Sequence, residues 1–344
     1  MEKSFYIFIL IIPVLLSGCS LLPTGGLNSG AVGRGVFKSA DKGINWQEMN
    51  NLQDSTKKID RLNVHKMNFD STDSRIIYLG TDSGLYFSQD SAQSWQVIFL
   101  AVNVADFALN PKTRGIIYAV VDNQLHKTTD NGKNWSLIYT ETKPGAVIQS
   151  IQISQFDTSR IYMLNSDGIL MRSIDWGDSW KLFYDFKVRT KKLYIDPNNS
   201  LAMYVRADNG LYRTGDEGAS WQEIIAGQNQ YFPGSEIHKD IVFSEDSGDL
   251  YYLSQYGLLK SDNNGDSWQD IKLISPAGSV DIRAVALDPK NDDEIYYIVN
   301  NILYHTLDGG LNWKTKVLPN GKLRVSQILV DFYDANNLYI GLSQ

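Results

Sequence analysis

Cysteine is almost absent from this sequence: there is one, Cys19, among 344 residues. A single cysteine excludes a scaffold built on disulfides and a zinc site with four cysteine ligands. Histidine is also scarce, and His65, His126, His238 and His305 share no metal-ligand spacing. The formal net charge of −7 is small and spread along the chain, which argues against a nucleic-acid binder. We therefore expect a folded chain that uses no cofactor and no metal.

Long apolar runs are missing except near the N-terminus, where 12 apolar residues extend from Phe5 to Leu16. A membrane-spanning helix needs about 20 apolar residues, so this run is typical of an export signal. It ends in Leu16-Ser17-Gly18-Cys19, which resembles the signal of bacterial lipoproteins. The resemblance implies cleavage before Cys19 and acylation of its thiol. The alternative is a plain signal peptide with an incidental cysteine.

The region after Cys19 is rich in glycine and predicts a flexible tether as far as residue 34. These features predict a protein of the bacterial cell envelope, outside the cytoplasm, that contacts a membrane through its lipid anchor only. Because Ser20 rather than Asp follows the cysteine, the anchor is expected in the outer membrane where the cell has one. The predicted organisation is a signal peptide at 1–18, the lipidated cysteine with its tether at 19–34, and one folded domain at 35–344.

The rest of the chain repeats the pattern Ser/Thr-x-Asp-x-Gly-x-x-Trp seven times, for example at Thr214 to Trp221. Two copies depart from it, with Ala92 in place of Gly and Asn263 in place of Asp. Successive tryptophans are 49, 40, 45, 41, 47 and 45 residues apart, a period typical of propeller blades. The Asp or Asn and the Trp of the seven copies are Asp41 and Trp46, Asp90 and Trp95, Asp130 and Trp135, Asp175 and Trp180, Asp216 and Trp221, Asn263 and Trp268, and Asp308 and Trp313.

The residue types of this pattern suit a tight turn between two strands. The Asp can accept hydrogen bonds from backbone N–H groups of its own turn, Gly permits a positive φ, and Trp opens the next strand and anchors the turn by burying its ring. Seven copies of one turn cannot be seven active sites, so we interpret them as structural. Short β-branched and aromatic runs around each turn predict four strands per period.

The two ends of the repeat region predict how the ring closes. One strand, at Gly35 to Lys38, precedes the first turn, and two strands, at 323–332 and 338–342, follow the last tryptophan. Two N-terminal and two C-terminal strands together complete one blade and leave no open edge. The prediction is an all-β fold, a closed seven-bladed propeller of four-stranded antiparallel blades.

The repeated turn resembles the Asp-box, or bacterial neuraminidase repeat, which implies a propeller but no particular activity. Sialidases, xyloglucanase-type glycoside hydrolases, sortilin-like receptors and the photosystem II stability/assembly factors carry it. The chain lacks the Arg-Ile-Pro segment of sialidases, the second propeller of xyloglucanases and the Cys-rich module of sortilin-like receptors. The assembly factors are closest in plan, as single seven-bladed propellers, and their likeness implies a protein-binding role.

In a propeller, the loops that lead into the first strand of each blade share one face, here the loop face, with the turns between second and third strands. The repeated turns lie on the opposite face, here the turn face, with the turns between first and second strands. Cations concentrate in the loops of the loop face, whereas twelve acids, among them Asp70, Asp196, Asp288, Glu294 and Asp331, fall on the turn face. This asymmetry predicts that the loop face attracts an acidic partner.

The candidate partner-binding residues lie at corresponding places of the loop face or in its longest loops. Lys191, Lys239 and Arg283 fall at the start of three consecutive first strands, and His65 at the start of a fourth. The others are Arg61, Arg189 and Arg324, with Tyr231 and Phe232 as aromatic anchors. The alternative is a solvated scatter of Lys and Arg. A second column of mostly basic residues precedes each repeated turn, and its long side chains are expected to pack between blades.

Two functions fit these observations. The preferred one is a monomeric, non-enzymatic scaffold or assembly factor that binds an acidic protein or peptide and no nucleic acid. The alternative is a carbohydrate-active protein, either a hydrolase or a glycan-binding module, because the Asp-box occurs in glycosidases and the chain holds 19 Tyr and 8 Trp. The acid pair of a glycosidase would come from different blades and leave no local signature.

Overall fold

The computed structural model describes residues 33–53, 56–101, 103–319 and 321–344. The predicted signal peptide, Cys19 and most of the predicted tether lie outside these residues. The described chain folds into seven four-stranded antiparallel sheets, and a 3-10 turn at Gln228–Gln230 is the one helical element that it contains. None of its helices is long and apolar enough to span a bilayer.

In blades 1 to 6 the strands follow the chain from the first to the fourth position, and blade 7 combines the last two strands of the chain with the first two. Blade 1 comprises β3 (Val64–Asp70), β4 (Asp73–Thr81), β5 (Gly84–Ser88) and β6 (Gln96–Phe99); blade 2 comprises β7 (Val104–Leu109), β8 (Ile117–Val121), β9 (Gln124–Thr128) and β10 (Ser136–Thr140). Blade 3 comprises β11 (Ile148–Ile153), β12 (Ile161–Asn165), β13 (Ile169–Ser173) and β14 (Lys181–Asp185); blade 4 comprises β15 (Thr190–Ile195), β16 (Met203–Ala207), β17 (Gly210–Thr214) and β18 (Gln222–Glu223). Blade 5 comprises β19 (His238–Phe243), β20 (Leu250–Ser254), β21 (Leu258–Ser261) and β22 (Gln269–Asp270); blade 6 comprises β23 (Ile282–Asp288), β24 (Asn291–Val299), β25 (Ile302–Thr306) and β26 (Lys314–Val317). Blade 7 comprises β27 (Arg324–Val330), β28 (Leu338–Ser343), β1 (Gly35–Ser39) and β2 (Gln47–Glu48).

Blade 7 closes the ring by pairing the two ends of the chain. Strand β1 pairs antiparallel with β28, from Gly35 opposite Leu342 to Ser39 opposite Leu338. Every first strand therefore has a neighbouring blade on each side, and no sheet face is left unpaired. The seven-bladed, four-stranded architecture predicted from the sequence is confirmed, as is closure by the N- and C-terminal strands.

The cores lie between neighbouring blades and are made mainly by the second strands, which are almost fully buried. Blades approach closely enough for some positions to require glycine. A Cβ on Gly341 of blade 7 would lie 2.5 Å from Val64 Cγ1 of blade 1, too close for any side chain. Gly80 of blade 1 lies against Val104 and Phe107 of blade 2 in the corresponding place. The repeat thus packs a small or apolar residue of one blade against the start of the next.

The repeat turns share one hydrogen-bond pattern, which Thr214–Trp221 illustrates. The Thr214 hydroxyl donates to Asp216 Oδ1 (2.7 Å) and accepts from the Gly218 N–H (2.8 Å). Asp216 accepts from the Ser220 hydroxyl (2.6 Å) and N–H (2.9 Å), and these hydrogen bonds lower the pKa of Asp216 to about 2. The partner residue is Ser or Asn in all copies, although the pattern read from the sequence omits it: Asn45, Ser94, Asn134, Ser179, Ser220, Ser267 and Asn312.

The glycine of the turn is needed for space as well as for its positive φ. A Cβ on Gly218 (φ +90) would lie 2.6 Å from a ring carbon of Phe183 in the preceding blade. Ala92 stands at this position in blade 1 with φ 69. There the preceding blade supplies Met49, a flexible side chain in the same buried cluster as Ala92.

The turn tryptophans are less buried than the sequence predicts. Only Trp95 and Trp268 are buried, whereas the other five are partly exposed. The tryptophans stand at the start of the fourth strands. These are the outermost strands of the blades, so no further strand of the same blade covers the indole rings. Trp95 is covered because the segment Asn51–Gln53 runs beside it: its N–H donates to Asn51 O, and its carbonyl accepts from the Gln53 N–H.

Candidate binding face

Every first strand carries a β-bulge near its start, at the second residue in blades 1 to 6 and at the third residue, Ser326, in blade 7. The register of each pair shifts at that point, so one residue is left without a partner in the ladder. The seven residues at this position are His65, Ala105, Gln149, Lys191, Lys239, Arg283 and Ser326. The structure therefore brings His65, Lys191, Lys239 and Arg283 to equivalent places around the loop face, with the three cations in blades 4, 5 and 6.

These cations have acidic neighbours that the sequence did not reveal. Lys191 Nζ lies 3.3 Å from Asp208 in the turn between the second and third strands of its own blade. Lys239 and Arg283 both contact Asp281, at 2.7 and 2.6 Å. The excess of cations on the loop face is thus smaller than the count of Lys and Arg predicts. Exposed pairs of this kind contribute about 0–1 kcal/mol each, so they hold the side chains only weakly.

Asp281 contacts cations from two blades, and the charge of a third cation, Arg324, also acts on its carboxylate. Burial by itself would raise its pKa, but the Lys239 hydrogen bond and the charges of Lys239, Arg283 and Arg324 lower it below the ordinary value. One carboxylate faces three cations spread over blades 5, 6 and 7. The charge near Asp281 therefore remains positive, which favours a further carboxylate from outside.

The other predicted residues differ in their exposure to solvent and in their contacts with the rest of the chain. Arg61, Arg189 and Arg324 are exposed and form no ion pair within the described part of the chain. His65 Nδ1 lies 3.2 Å from the carbonyl oxygen of Val104. These three arginines are available for an outside partner, whereas the ring of His65 is held against the next blade.

The predicted aromatic anchors separate in the structure. Tyr231 is 68% exposed in the long loop between blades 4 and 5. Phe232 instead packs edge-on against Tyr256, with ring centroids 5.3 Å apart, and joins the core between these blades. Phe232 therefore fastens the loop, and Tyr231 is the aromatic side chain that this loop presents to solvent.

The acids assigned to the turn face are partly structural. Asp70, Asp196, Asp288 and Asp331 are buried at the ends of first strands, where their carboxylates accept hydrogen bonds from backbone N–H groups of the following turn. Glu294 is also buried, against Lys42 and His305. These five acids do not contribute a solvated negative surface, so the predicted contrast in charge between the two faces is weaker than the sequence suggests.

Three lysines of the column before the repeat turns, Lys38, Lys127 and Lys260, pack on tyrosine rings. Each second strand carries a buried tyrosine opposite the residue that precedes the turn: Tyr78, Tyr118, Tyr162, Tyr204, Tyr251, Tyr296 and Tyr339. Lys127 Nζ, for example, lies 5.6 Å from the Tyr118 ring centroid. Both donate to Trp176 O in the next blade. These contacts join neighbouring blades. The sequence could have indicated them, because a Tyr recurs in the strand before each repeat turn.

Polar side chains next to the bulges link the first strands of blades 1 to 3 and those of blades 4 and 5. Lys66 Nζ contacts Asp106 Oδ1 at 2.6 Å, and Asp106 Oδ2 accepts from the Ser150 hydroxyl at 3.1 Å. Lys192 Nζ contacts Asp240 Oδ1 at 3.0 Å. Burial alone would raise the pKa of Asp240, but Lys192 and a hydrogen bond from Tyr194 lower it. These groups satisfy one another across the blades and position the exposed bulge residues. Within the described residues, no group of three or more His, Cys, Asp or Glu could hold a metal ion.

Comparisons with known proteins agree on the fold. A family model described as the DUF6242 beta propeller domain matches residues 113–249. Xyloglucanase Xgh74A of Acetivibrio thermocellus is 26% identical over 191 residues, which are 48% of this chain and 19% of that protein. A xyloglucanase of a Paenibacillus species is 25% identical over 161 residues, 35% of this chain and 16% of that protein. The chain thus matches less than a fifth of these relatives' length.

Solved structures resemble the chain over most of its length. The GH74 xyloglucanase of Xanthomonas campestris superposes with a TM-score of 0.66 and 17% identity, covering 81% of this chain and 51% of that one. A structure of YCF48 bound to D1 peptide superposes with a TM-score of 0.64 and 17% identity, covering 82% of this chain and 94% of that one. At these identities the likeness shows the propeller fold alone, and it extends to a glycosidase and to a peptide-bound protein.

Proposed function

We propose that this protein is a non-enzymatic scaffold or assembly factor that binds an acidic protein or peptide on the loop face of its propeller. The observation that carries the proposal is the cluster around Asp281, whose carboxylate contacts Lys239 and Arg283 while the nearby charge of Arg324, from a third consecutive blade, also lowers its pKa. The side chains of Lys239 and Arg283 at the bulges are partly exposed to solvent. An acidic peptide lying across blades 4 to 6 would meet Lys191, Lys239 and Arg283 in turn.

The comparison with YCF48 supports this proposal. That structure holds a D1 peptide, and the present chain covers nearly all of it. The xyloglucanase of Xanthomonas campestris is about twice as long as the region that matches. Coverage of 94% of a peptide-bound protein, against 51% of a glycosidase, favours peptide binding over glycoside hydrolysis.

The cellular setting that we propose follows from the N-terminal sequence. Acylation of Cys19 would hold the propeller at a membrane of the cell envelope, where it would act as a monomer beside membrane-bound or exported partners. Metabolic labelling with radioactive palmitate tests this anchor. Label in the wild-type protein and none in Cys19→Ala is the expected result, and an unlabelled wild-type protein would contradict it.

Selection from a random peptide library tests the binding function. We expect immobilised wild-type protein to enrich peptides rich in Asp and Glu. The triple variant Lys191→Glu, Lys239→Glu, Arg283→Glu should lose this binding at least tenfold, because it reverses the charge of the loop face. The control variant Lys112→Glu, Lys133→Glu, Lys290→Glu makes the same change in net charge on the turn face and should bind like wild type. Equal binding by both variants would overturn the proposal.

The second candidate function is carbohydrate binding or hydrolysis, which the sequence identity to xyloglucanases favours. Incubation with xyloglucan, β-glucan and sialylated substrates separates the two. The scaffold proposal expects no turnover of any of them. Release of reducing sugar or sialic acid by wild-type protein would establish the carbohydrate function instead.

A further inference from the structure

The junction between blades 4 and 5 departs from the other six in a way that packing does not explain. At each junction a residue near the end of one second strand faces the residue that precedes the bulge in the next blade's first strand. In the other six blades the second-strand residue is Gly80, Val120, Leu164, Leu253, Ile298 or Gly341, and in blade 4 it is Arg206. The first-strand residue is Val64, Val104, Ile148, Thr190, Ile282 or Val325 elsewhere, and in blade 5 it is His238.

Arg206 reaches across this junction without meeting a carboxylate. Its Nη1 donates to the carbonyl oxygen of Lys239 at 2.6 Å. Its Nε is buried and has no hydrogen-bond partner among the described residues, and no ion pair joins Arg206 to any of them. The edge of a guanidinium that carries Nε is one that binds a carboxylate through two parallel hydrogen bonds. The chain therefore places an unpaired arginine in a position that is apolar in every other blade.

The groups that face Arg206 from blade 5 are also polar and partly unpaired. His238 is buried, with Nδ1 3.1 Å from the Tyr252 hydroxyl and Nε2 against the carbonyl of Ala207. Burial lowers the pKa of His238 below its ordinary value. Ser254 pairs with His238 across the sheet, and its buried hydroxyl has no partner in the described residues.

The long loop between blades 4 and 5 covers this place. Its Ser235 carbonyl accepts a hydrogen bond from the Tyr252 hydroxyl at 2.6 Å, while the buried Ser235 hydroxyl has no partner in the part of the chain that the structure describes. Three buried polar groups of Arg206, Ser235 and Ser254 thus lack partners at one junction. Unpaired buried groups of this kind are costly, and in native proteins they mark a bound water, ion or ligand.

We infer that the junction of blades 4 and 5 binds a carboxylate group of the peptide partner, through Arg206 with the hydroxyls of Ser235 and Ser254. The inference rests on the proposed function and names the anchoring point within the loop face. Water can satisfy a hydroxyl, but a guanidinium whose Nε is withdrawn from solvent is stabilised by an anion. The carbonyl oxygens of Lys239 and Ala207 lie beside the site, and they favour a singly charged carboxylate over a doubly charged phosphate.

The site lies within reach of the proposed binding surface. Arg206 pairs across the sheet with Lys192, next to Lys191, and bonds the backbone of Lys239. Tyr231 is exposed in the loop that covers the site. A peptide that crosses the bulge cations of blades 4 and 5 would pass over the loop and could insert one acidic side chain at Arg206.

Nuclear magnetic resonance of the His238 side chain tests the inference on the folded propeller. The probes are capped tripeptides Gly-Glu-Gly and Gly-Gln-Gly, with acetate and inorganic phosphate as free ions. We expect a saturable shift of the His238 signals with the Glu peptide and binding at least tenfold weaker with the Gln peptide. Equal binding of both peptides would overturn the inference, as would acetate or phosphate binding as tightly as the Glu peptide.

The variant Arg206→Leu places in blade 4 the residue that blade 3 has at Leu164. It should fold, unfold thermally at or above the wild-type temperature, and bind the Glu peptide at least tenfold less tightly. Arg75→Leu is the control, because it removes an exposed arginine from the turn face. Ser254→Ala should weaken the peptide about threefold. Unchanged binding in Arg206→Leu, or a junction that unfolds without the guanidinium, would show a structural role and overturn the inference.

Failure here and failure of the proposed function give different results. If Arg206→Leu keeps its affinity for library-selected acidic peptides while the triple charge reversal loses it, the loop face binds peptide without this anchor. If neither variant changes binding, the proposed function itself is wrong.

Discussion

The repeat turns and the β-bulges occupy opposite ends of the blades and differ in how much their residues vary. In the turns, Ser or Thr, Asp or Asn, and Ser or Asn recur because each side chain has the same backbone and hydroxyl groups to satisfy. At the bulges, one position holds His, Ala, Gln, Lys, Arg or Ser. Nothing within the repeat fixes the bulge residue, so its identity is free to serve a partner. Constancy among the copies marks the scaffold, and departures from it mark candidate sites.

The largest expected effect on the free energy of unfolding comes from a substitution in the repeat turns, whose residues hardly vary among the blades. Trp95→Ala removes a fully buried indole whose Nε1 donates to Met49 O at 2.6 Å. We expect a loss of about 3–5 kcal/mol in the free energy of unfolding, measured in urea, because a large cavity and an unpaired carbonyl remain. Trp176→Ala is the control: Trp176 is half exposed, so its loss should cost less than about 0.5 kcal/mol. Similar losses in both variants would contradict the assignment of the turns as the structural element.

A smaller effect is expected at the junction of blades 6 and 7, where the ring closes. Glu294 of blade 6 contacts Lys42 of blade 7 at 2.8 Å and His305 at 2.9 Å. Although burial opposes ionisation, hydrogen bonds from His305, Lys42 and Tyr296 lower the pKa of Glu294 to about 2. A carboxyl with a lowered pKa stabilises the fold above its unfolded pKa near 4.5, and this contribution is lost as the pH falls towards 2.

The variant Glu294→Gln should therefore reduce the free energy of unfolding at pH 7 and flatten its dependence on pH between about 4.5 and 2. Urea unfolding at pH 7, 4 and 3 measures both effects. Glu236→Gln, at an exposed glutamate, should leave the pH dependence as in wild type. A wild-type pH profile in Glu294→Gln would show that this ion pair does not contribute to closing the ring.

The architecture could be predicted from the sequence because its determinants are local. The turn residues lie within eight positions of one another, and their period along the chain gives the blades. The tyrosine column was equally readable, since one Tyr stands before each turn. The ion pairs of the binding face were not, because Lys239 and Asp281 are 42 residues apart and meet only when two blades pack. The burial of Asp196 and Glu294 likewise depends on neighbouring blades. The residue type does not indicate it, because exposed acids are also Asp and Glu.

Arg206 lies between these two cases, because the sequence could have indicated its position but not its surroundings. Aligning the second strands by their tyrosines would have singled it out as the one charged residue at its position. That Arg206 has no carboxylate partner, however, can be seen only in the structure. The groups around its guanidinium, Lys239 O and the two serine hydroxyls, come from the next blade and the long loop. A repeat alignment therefore indicates where a site departs from the scaffold, and the structure shows what chemistry the departure offers.

The smallest effect on stability, and the sharpest test of the comparison, is expected from Asp208→Asn. This change removes the exposed ion pair with Lys191 and should alter the free energy of unfolding by less than about 1 kcal/mol. It also leaves the loop face one charge more positive, so acidic peptides should bind about two- to fivefold more tightly at low salt, with the gain disappearing at high salt because ions screen it. Asp73→Asn removes the exposed pair with Arg75 on the turn face and should leave peptide affinity unchanged. If the two variants gained affinity equally, net charge rather than the position of the bulge cations would govern binding.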